Sequence, residues 1–103
     1  MVVRVAQEDR PAFQLRPGEE GISVFDPESV HPPLAESEIL EAFRAGSRLI
    51  TRSVSEIEAK GLTILPIPGA APLPDRLREA HAEIRPGGTM TRKEFKQALK
   101  ELE

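Results

Sequence analysis

Four polar side chains of the types that perform chemistry lie on stretches that read as β-strands: Arg4, Ser23, His81 and Glu83. His81 and Glu83 lie on the same face of one predicted strand, because side chains alternate along a strand. If the strands meet in one cleft, the arginine would clamp an anion and the serine would position a partner. The Glu83 carboxylate would then stabilise a developing cation. The spacing therefore permits an active site, and we treat these four residues as its candidates.

Each of these residues also has an ordinary structural interpretation. Arg4 on the solvent side of an edge strand and Glu83 on an outer strand face are what general residue preferences favour. Ser23 is less easily explained, because it lies between apolar residues in the run Gly21–Asp26. A hydroxyl in a buried strand must find a partner or face a cavity. Neither histidine has a second ligand at a recognisable spacing, so we predict no metal site.

The length, charge and composition of the chain exclude several classes of protein. The chain has 103 residues, which predicts a single domain over residues 1–103. Its net charge is −3 with dispersed basic residues, so we expect no direct binding to nucleic acid. It has no cysteine, which excludes disulfides and thiolate metal sites. The apolar runs are too short to enter a membrane and we find no signal peptide, so we expect a cytoplasmic protein.

The apolar pattern predicts short strands and a few helices that must position these side chains. The predicted strands are residues 2–5, 21–26, 48–52, 62–67 and 80–84. The strand over 62–67 is expected in the core beside the central strand over 21–26. A helix is predicted from Ala35 to Gly46, with Ile39, Leu40 and Phe43 as its apolar face. One helical turn capped by Asp75 is also expected.

Two further helices begin at capping boxes, Ser53-x-x-Glu56 and Thr91-x-x-Glu94. Strands and helices mix without a regular βα alternation. We therefore predict an α+β domain with a mainly antiparallel, mixed sheet and two or three short helices. The spacing of a phosphate-binding glycine loop is absent, and Gly21-Ile22-Ser23-Val24-Phe25 lacks the second glycine of a nucleophile elbow.

Two short motifs resemble the small cytotoxic effectors of type VI secretion that have an ADP-ribosyltransferase-like fold. The first is Ser23-Val24-Phe25-Asp26 in the central strand. The second is the run from Arg76-Leu77 through His81 and Ile84 to Pro86, followed by a C-terminal helix. The likeness covers the chain from Pro17 to its end. It implies a toxin domain neutralised by a cognate immunity or antitoxin protein.

The resemblance also implies roles for individual residues. Arg4, Ser23 and Phe25 would bind NAD, with Phe25 or Phe13 stacking on nicotinamide, and Ser23, His81 and Glu83 would form the catalytic set. Glu83 would favour the oxocarbenium-like state as nicotinamide departs. His81 occupies the position where arginine-modifying members carry an acid or amide, and the chain has no tyrosine for the branch that uses one.

Three hypotheses about function follow. The first is an NAD-dependent ADP-ribosyltransferase or NAD-binding relative, which predicts one cleft joining Arg4, Ser23, His81 and Glu83. The second is a non-catalytic α+β protein-interaction module, which predicts that these residues are scattered or shallowly exposed. The third is a toxin of the same fold that works without NAD.

Overall fold

The computed structural model describes residues 1–103 and contains five strands and four α-helices. The strands are β1 (Val2–Gln7), β2 (Ile22–Phe25), β3 (Ser47–Arg52), β4 (Leu62–Pro66) and β5 (His81–Pro86). The helices are α1 (Glu36–Leu40), α2 (Val54–Ala59), α3 (Asp75–Ala80) and α4 (Arg92–Lys100), with a 3-10 helix at Pro27–Ser29.

The strands form one sheet in the order β3-β1-β2-β5-β4, and every neighbouring pair is antiparallel. The predicted α+β class with a mainly antiparallel sheet is confirmed. The expectation of a mixed sheet is wrong, and so is the expected number of helices. β4 lies at an edge with β5 between it and β2, so its predicted place beside the central strand is also wrong.

One face of the sheet, here called the closed face, carries alternate residues of the inner strands. Ile22 and Val24 of β2 and Ile84 of β5 belong to the larger apolar cluster on this face. Two helices cover it: Ile57 of α2 and Phe95 of α4 are almost completely buried in the same cluster. This alternation is what a strand buried on one face requires.

The opposite face, here called the open face, carries the residues between them. Phe25 and Val3 lie in a smaller apolar cluster with Ile39 of α1 and Leu77 of α3. Arg76 joins these two helices, because its Nε donates to a Glu38 carboxylate oxygen at 2.7 Å. This hydrogen bond lowers the pKa of Glu38.

Helix starts follow the sequence where a side chain caps them. Both predicted capping boxes are present, at Ser53 for α2 and at Thr91 for α4. The helix predicted over residues 35–46 is shorter, because α1 ends at Leu40 and only turns follow. Asp75 is the first residue of α3 and its side chain caps nothing, since Pro74 is the N-cap residue.

Candidate functional site

Ser23 and Glu83 form a polar row on the part of the open face that no helix covers. Ser23 of β2 is the direct cross-strand partner of Glu83 of β5, and Leu65 of β4 lies on the other side of Glu83. Cross-strand partners have neighbouring side chains, because all three residues point to the same face. The Ser23 side chain is exposed, so its hydroxyl meets solvent. The expectation of a buried hydroxyl in a cavity is therefore wrong.

An ion pair occupies the Glu83 carboxylate. Arg85 Nε donates to Glu83 Oε1 at 2.7 Å, and Arg85 also lies 3.6 Å from a Glu20 carboxylate oxygen. Gly21 makes room for this arginine, because a Cβ there would lie 2.9 Å from Arg85 Nε and 2.8 Å from the Ile84 carbonyl oxygen. The absence of a side chain at Gly21, directly before β2, therefore allows β5 and the Arg85 side chain to pack closely.

His81 is held in one orientation at the border between the polar row and the apolar cluster. Its Nδ1 lies 2.7 Å from the Ile67 carbonyl oxygen, which accepts a hydrogen bond and so requires the proton on Nδ1. The neutral ring then presents Nε2 as an acceptor. The buried Phe25 ring meets the His81 ring edge-on, with centroids 5.7 Å apart. Phe25 is therefore a core residue in this arrangement.

Arg4 lies on the closed face, as do Val2 and Ala6, its neighbours at alternate positions of β1. Its guanidinium donates to two backbone carbonyl oxygens, that of Ala12 at 2.8 Å and that of Ser23 at 2.9 Å. The sheet therefore separates Arg4 from the side chains of Ser23, His81 and Glu83. The single cleft that the transferase hypothesis predicts does not form.

The Arg4 side chain takes the place of a ladder hydrogen bond between β1 and β2. Their register contains only Val3 opposite Phe25, so the ladder does not extend to Ser23. The Arg4 side chain supplies the donor that the Ser23 carbonyl would otherwise take from a neighbouring strand. Burial lowers the pKa of Arg4, and the nearby Arg16 adds to this effect while Glu19 and Glu103 oppose it.

The connection from residue 8 to residue 21 is ordered by side chains from distant parts of the chain. Glu103 accepts from the backbone N–H groups of Ala12 and Phe13, at 3.0 and 2.6 Å. Arg92 donates to the carbonyl oxygens of Arg16 and Glu19. Connections of this length in a small domain are at the upper end of what is common, about 12–15 residues, and are frequently functional.

The β4 edge is the second exposed feature of this region. Ile67 N–H donates to the His81 carbonyl, so alternation along an antiparallel pair turns the N–H and C=O of Ile64 away from β5. Pro66 has the same outward position, where its missing N–H costs no hydrogen bond. Leu65 is 45% exposed. Sequence reasoning missed this edge, although the proline was a usable signal.

Comparisons with known proteins add no relative. No family model, no curated protein and no solved structure matches this chain. No helix has both the length and the apolar content that crossing a membrane requires. No group of three or more histidine or acidic side chains is placed to hold a metal ion. The assignment of a function must therefore start from the geometry of the open face and of β4.

Proposed function

We propose that this chain is a non-catalytic protein-interaction module that adds an extended segment of a partner protein to the free edge of β4. The observation that carries the proposal is an edge strand with no charged residue, outward backbone groups at Ile64 and a 45% exposed Leu65. Strand addition obtains affinity from backbone hydrogen bonds and specificity from alternate side chains. An exposed apolar edge otherwise invites aggregation, which proteins usually prevent.

The other edge of the sheet supports the assignment to β4. β3 carries Arg48 and Arg52, and charged side chains of this kind protect an edge against pairing. Arg52 also donates to the Leu102 carbonyl oxygen at 2.8 Å, which ties its end of β3 to the chain after α4. β4 has no such side chain, and Pro66 protects only its end. The proposed partner segment is therefore extended and places an apolar side chain beside Leu65.

The test is selection of binders from a library of displayed unstructured peptides, followed by affinity measurements with folded variants. We expect Leu65→Lys to weaken the selected peptides by roughly tenfold or more, which corresponds to about 1.4 kcal/mol. The matched control is Leu40→Lys, because Leu40 is also a partly exposed leucine, at 36%, but lies on α1. Peptides that bind equally well to both variants would contradict the proposal. Sedimentation of the free chain would reveal whether a second copy occupies the edge instead.

A second candidate function is the NAD-dependent ADP-ribosyltransferase, acting in the cytoplasm and neutralised by an immunity or antitoxin protein. The observation that favours it is the direct pairing of Ser23 with Glu83, with His81 on the same face. Here Glu83 would stabilise the cation formed as nicotinamide leaves. The position of Arg4 and the Glu83–Arg85 ion pair weigh against it, since NAD would need another anion clamp.

The two candidates differ in one assay. Expression of the parent chain, Glu83→Gln and Glu58→Gln is followed by measurement of growth and of NAD consumption. The transferase predicts growth arrest and NAD loss that Glu83→Gln abolishes and that Glu58→Gln, an exposed change on α2, leaves intact. Arrest without NAD loss would favour a toxin of another mechanism. Unchanged growth at high expression favours the interaction module.

A further inference from the structure

Three arginines converge on a pocket between β1 and the connection that follows it. The pocket has a volume of about 150 Å³ and is lined by Arg4, Arg10, Arg16 and Gln14 among others. No acidic side chain lines it. The chain as a whole is acidic, with a net charge of −3, so this concentration of positive charge is local.

Two of these arginines are available to a ligand. Arg10 and Arg16 are exposed, and neither side chain takes part in an ion pair of the chain. Arg4 uses Nε and Nη1 on backbone carbonyls, which leaves Nη2 without an acceptor. The two carboxylates that act on Arg4 accept hydrogen bonds from backbone amides, Glu19 from Arg16 N–H and Glu103 from Ala12 N–H.

We propose that this pocket binds the phosphate group of a small phosphorylated ligand through Arg10 and Arg16, with Arg4 at its base. Guanidinium groups form paired, charge-assisted hydrogen bonds with phosphate oxygens. Three cations favour a dianion over a monoanion, because a phosphate ester carries about −1.5 to −2 charges at neutral pH. The anion would also offset the mutual repulsion of Arg4 and Arg16 that contributes to the lowered pKa of Arg4.

The size of the pocket limits the ligand. A volume of about 150 Å³ holds roughly five water molecules at about 30 Å³ each. Sites for drug-sized ligands measure about 300–1,000 Å³. The enclosed part of the ligand is therefore one phosphate group with little attached to it. The pocket lies across the sheet from Ser23 and Glu83, so it is separate from the polar row of the open face.

The ordered connection supports the pocket. Arg92 and Glu103 hold its backbone at Arg16 and Phe13, so the backbone that carries Arg16 is positioned before any ligand arrives. Preorganisation of this kind lowers the entropic cost of binding. Neither Arg10 nor Arg16 contributes such a contact through its side chain. Both can therefore be replaced without disturbing the connection.

The experiment is a titration of the folded chain with inorganic phosphate, pyrophosphate and acetate, followed through backbone amide resonances at constant ionic strength. We expect saturable shifts at residues 10–16 with phosphate and pyrophosphate, and much weaker ones with acetate. The double variant Arg10→Gln/Arg16→Gln should weaken phosphate binding by roughly tenfold or more. The control Arg78→Gln removes an exposed arginine of α3, on the open face and outside the pocket lining, and should leave binding unchanged.

Three results would overturn the proposal. The first is an absence of saturable shifts at residues 10–16. The second is an equal loss in the Arg78→Gln control, which would indicate a general charge effect rather than binding in the pocket. The third is acetate binding as tight as phosphate binding, which would assign the pocket to carboxylates. Urea unfolding of each variant verifies that the fold is intact, so a loss of binding can be attributed to the arginines.

Discussion

On the closed face, α2 and α4 each begin at a capping box, whereas on the open face α1 and α3 begin without a side-chain cap. The apolar cluster of the closed face is also the larger of the two. The closed face belongs to a cluster of 15 buried residues and the open face to one of 7. The closed face also receives the ordered connection, through the buried Phe13 and Leu15. Helix capping and extensive burial therefore occur together only on the closed face.

This difference separates the stabilising part of the molecule from the part available to partners. A region with few buried contacts opens at lower free energy and tolerates exposed groups. The open face leaves Ser23 and Leu65 in contact with solvent beside the free edge of β4. We therefore expect substitutions of the buried closed-face residues to change stability, and substitutions on the uncovered part of the open face to change recognition of a partner protein.

The largest effect should come from the centre of the closed face. Phe95→Ala should lower the free energy of unfolding by about 3–5 kcal/mol, because it removes a ring that is 2% exposed and leaves a cavity. Leu65→Ala on the open face should stay within about 0.5 kcal/mol. Urea unfolding curves fitted for midpoint and slope measure both values. Similar losses in the two variants would remove the distinction between the faces.

A smaller loss is expected where the open face is tightly packed despite its exposure. Gly21→Ala should cost about 1–3 kcal/mol, because its Cβ would lie 2.8 Å from the Ile84 carbonyl oxygen and force the strands apart. Its neighbour on the same face supplies the control, since Ser23→Ala removes only an exposed hydroxyl. Thermal unfolding, with the Arg85 Nε–H resonance as a local probe, distinguishes the two. A neutral Gly21→Ala would show that the close approach relaxes freely.

Loss of a helix cap should lower the free energy of unfolding by about 1 kcal/mol, the typical cost of losing an N-cap side chain. Thr91→Ala should destabilise by that amount because the Glu94 N–H loses its acceptor, and Thr91→Ser should retain most of the stability. Ser37→Ala, an exposed change within α1, should be neutral or slightly stabilising, because alanine is the better helix former. Urea unfolding of the three variants measures these differences in the free energy of unfolding. Equal effects at both positions would argue against unequal capping.

The smallest effect should appear as a pH dependence of the capping boxes. The backbone hydrogen bond at Thr91 lowers the pKa of Glu94 below its ordinary value of 4.5. A lowered folded-state pKa stabilises the protein above the unfolded value, and this contribution disappears as the pH falls through the folded value. The stability difference between the parent chain and Glu94→Ala should therefore shrink between about pH 7 and about pH 3.

Urea midpoints of both proteins at the two pH values measure this change. The Glu38 carboxylate titrates in the same window but is present in both proteins, so its contribution cancels in the difference. A difference that does not vary with pH would mean that the Glu94 carboxylate does not support the cap.

Much of the local structure was predictable because it depends on near neighbours in the chain. The capping boxes span three residues, and the alternation of Ile22, Ser23 and Val24 needs only the two-residue period of a strand. The predictions were wrong where the boundary between a helix and a strand depends on tertiary packing. Ala80 was assigned to the strand with Ala82, yet it ends α3 and lies in the open-face cluster.

The candidate site was predictable only in part. Side-chain alternation correctly placed His81 and Glu83 on one face. It could not relate the face of β1 to the face of β5, because that relation depends on strand order and register. The pocket lined by Arg4, Arg10 and Arg16 was not predictable either, since these residues form no recognisable spacing and meet only in the folded chain.

The amino-acid sequence is sufficient to predict the starts of α2 and α4, the strand alternation and the α+β class, since hydrogen bonds and side-chain periods within a few residues decide them. Tertiary structure alone decided that β4 is an edge, that Ser23 meets solvent and that Arg4 faces away from Glu83. Each of these depends on pairing between residues far apart in the chain, such as Ser23 with Glu83. No local preference encodes such contacts, because their free energy appears only when the distant segments meet.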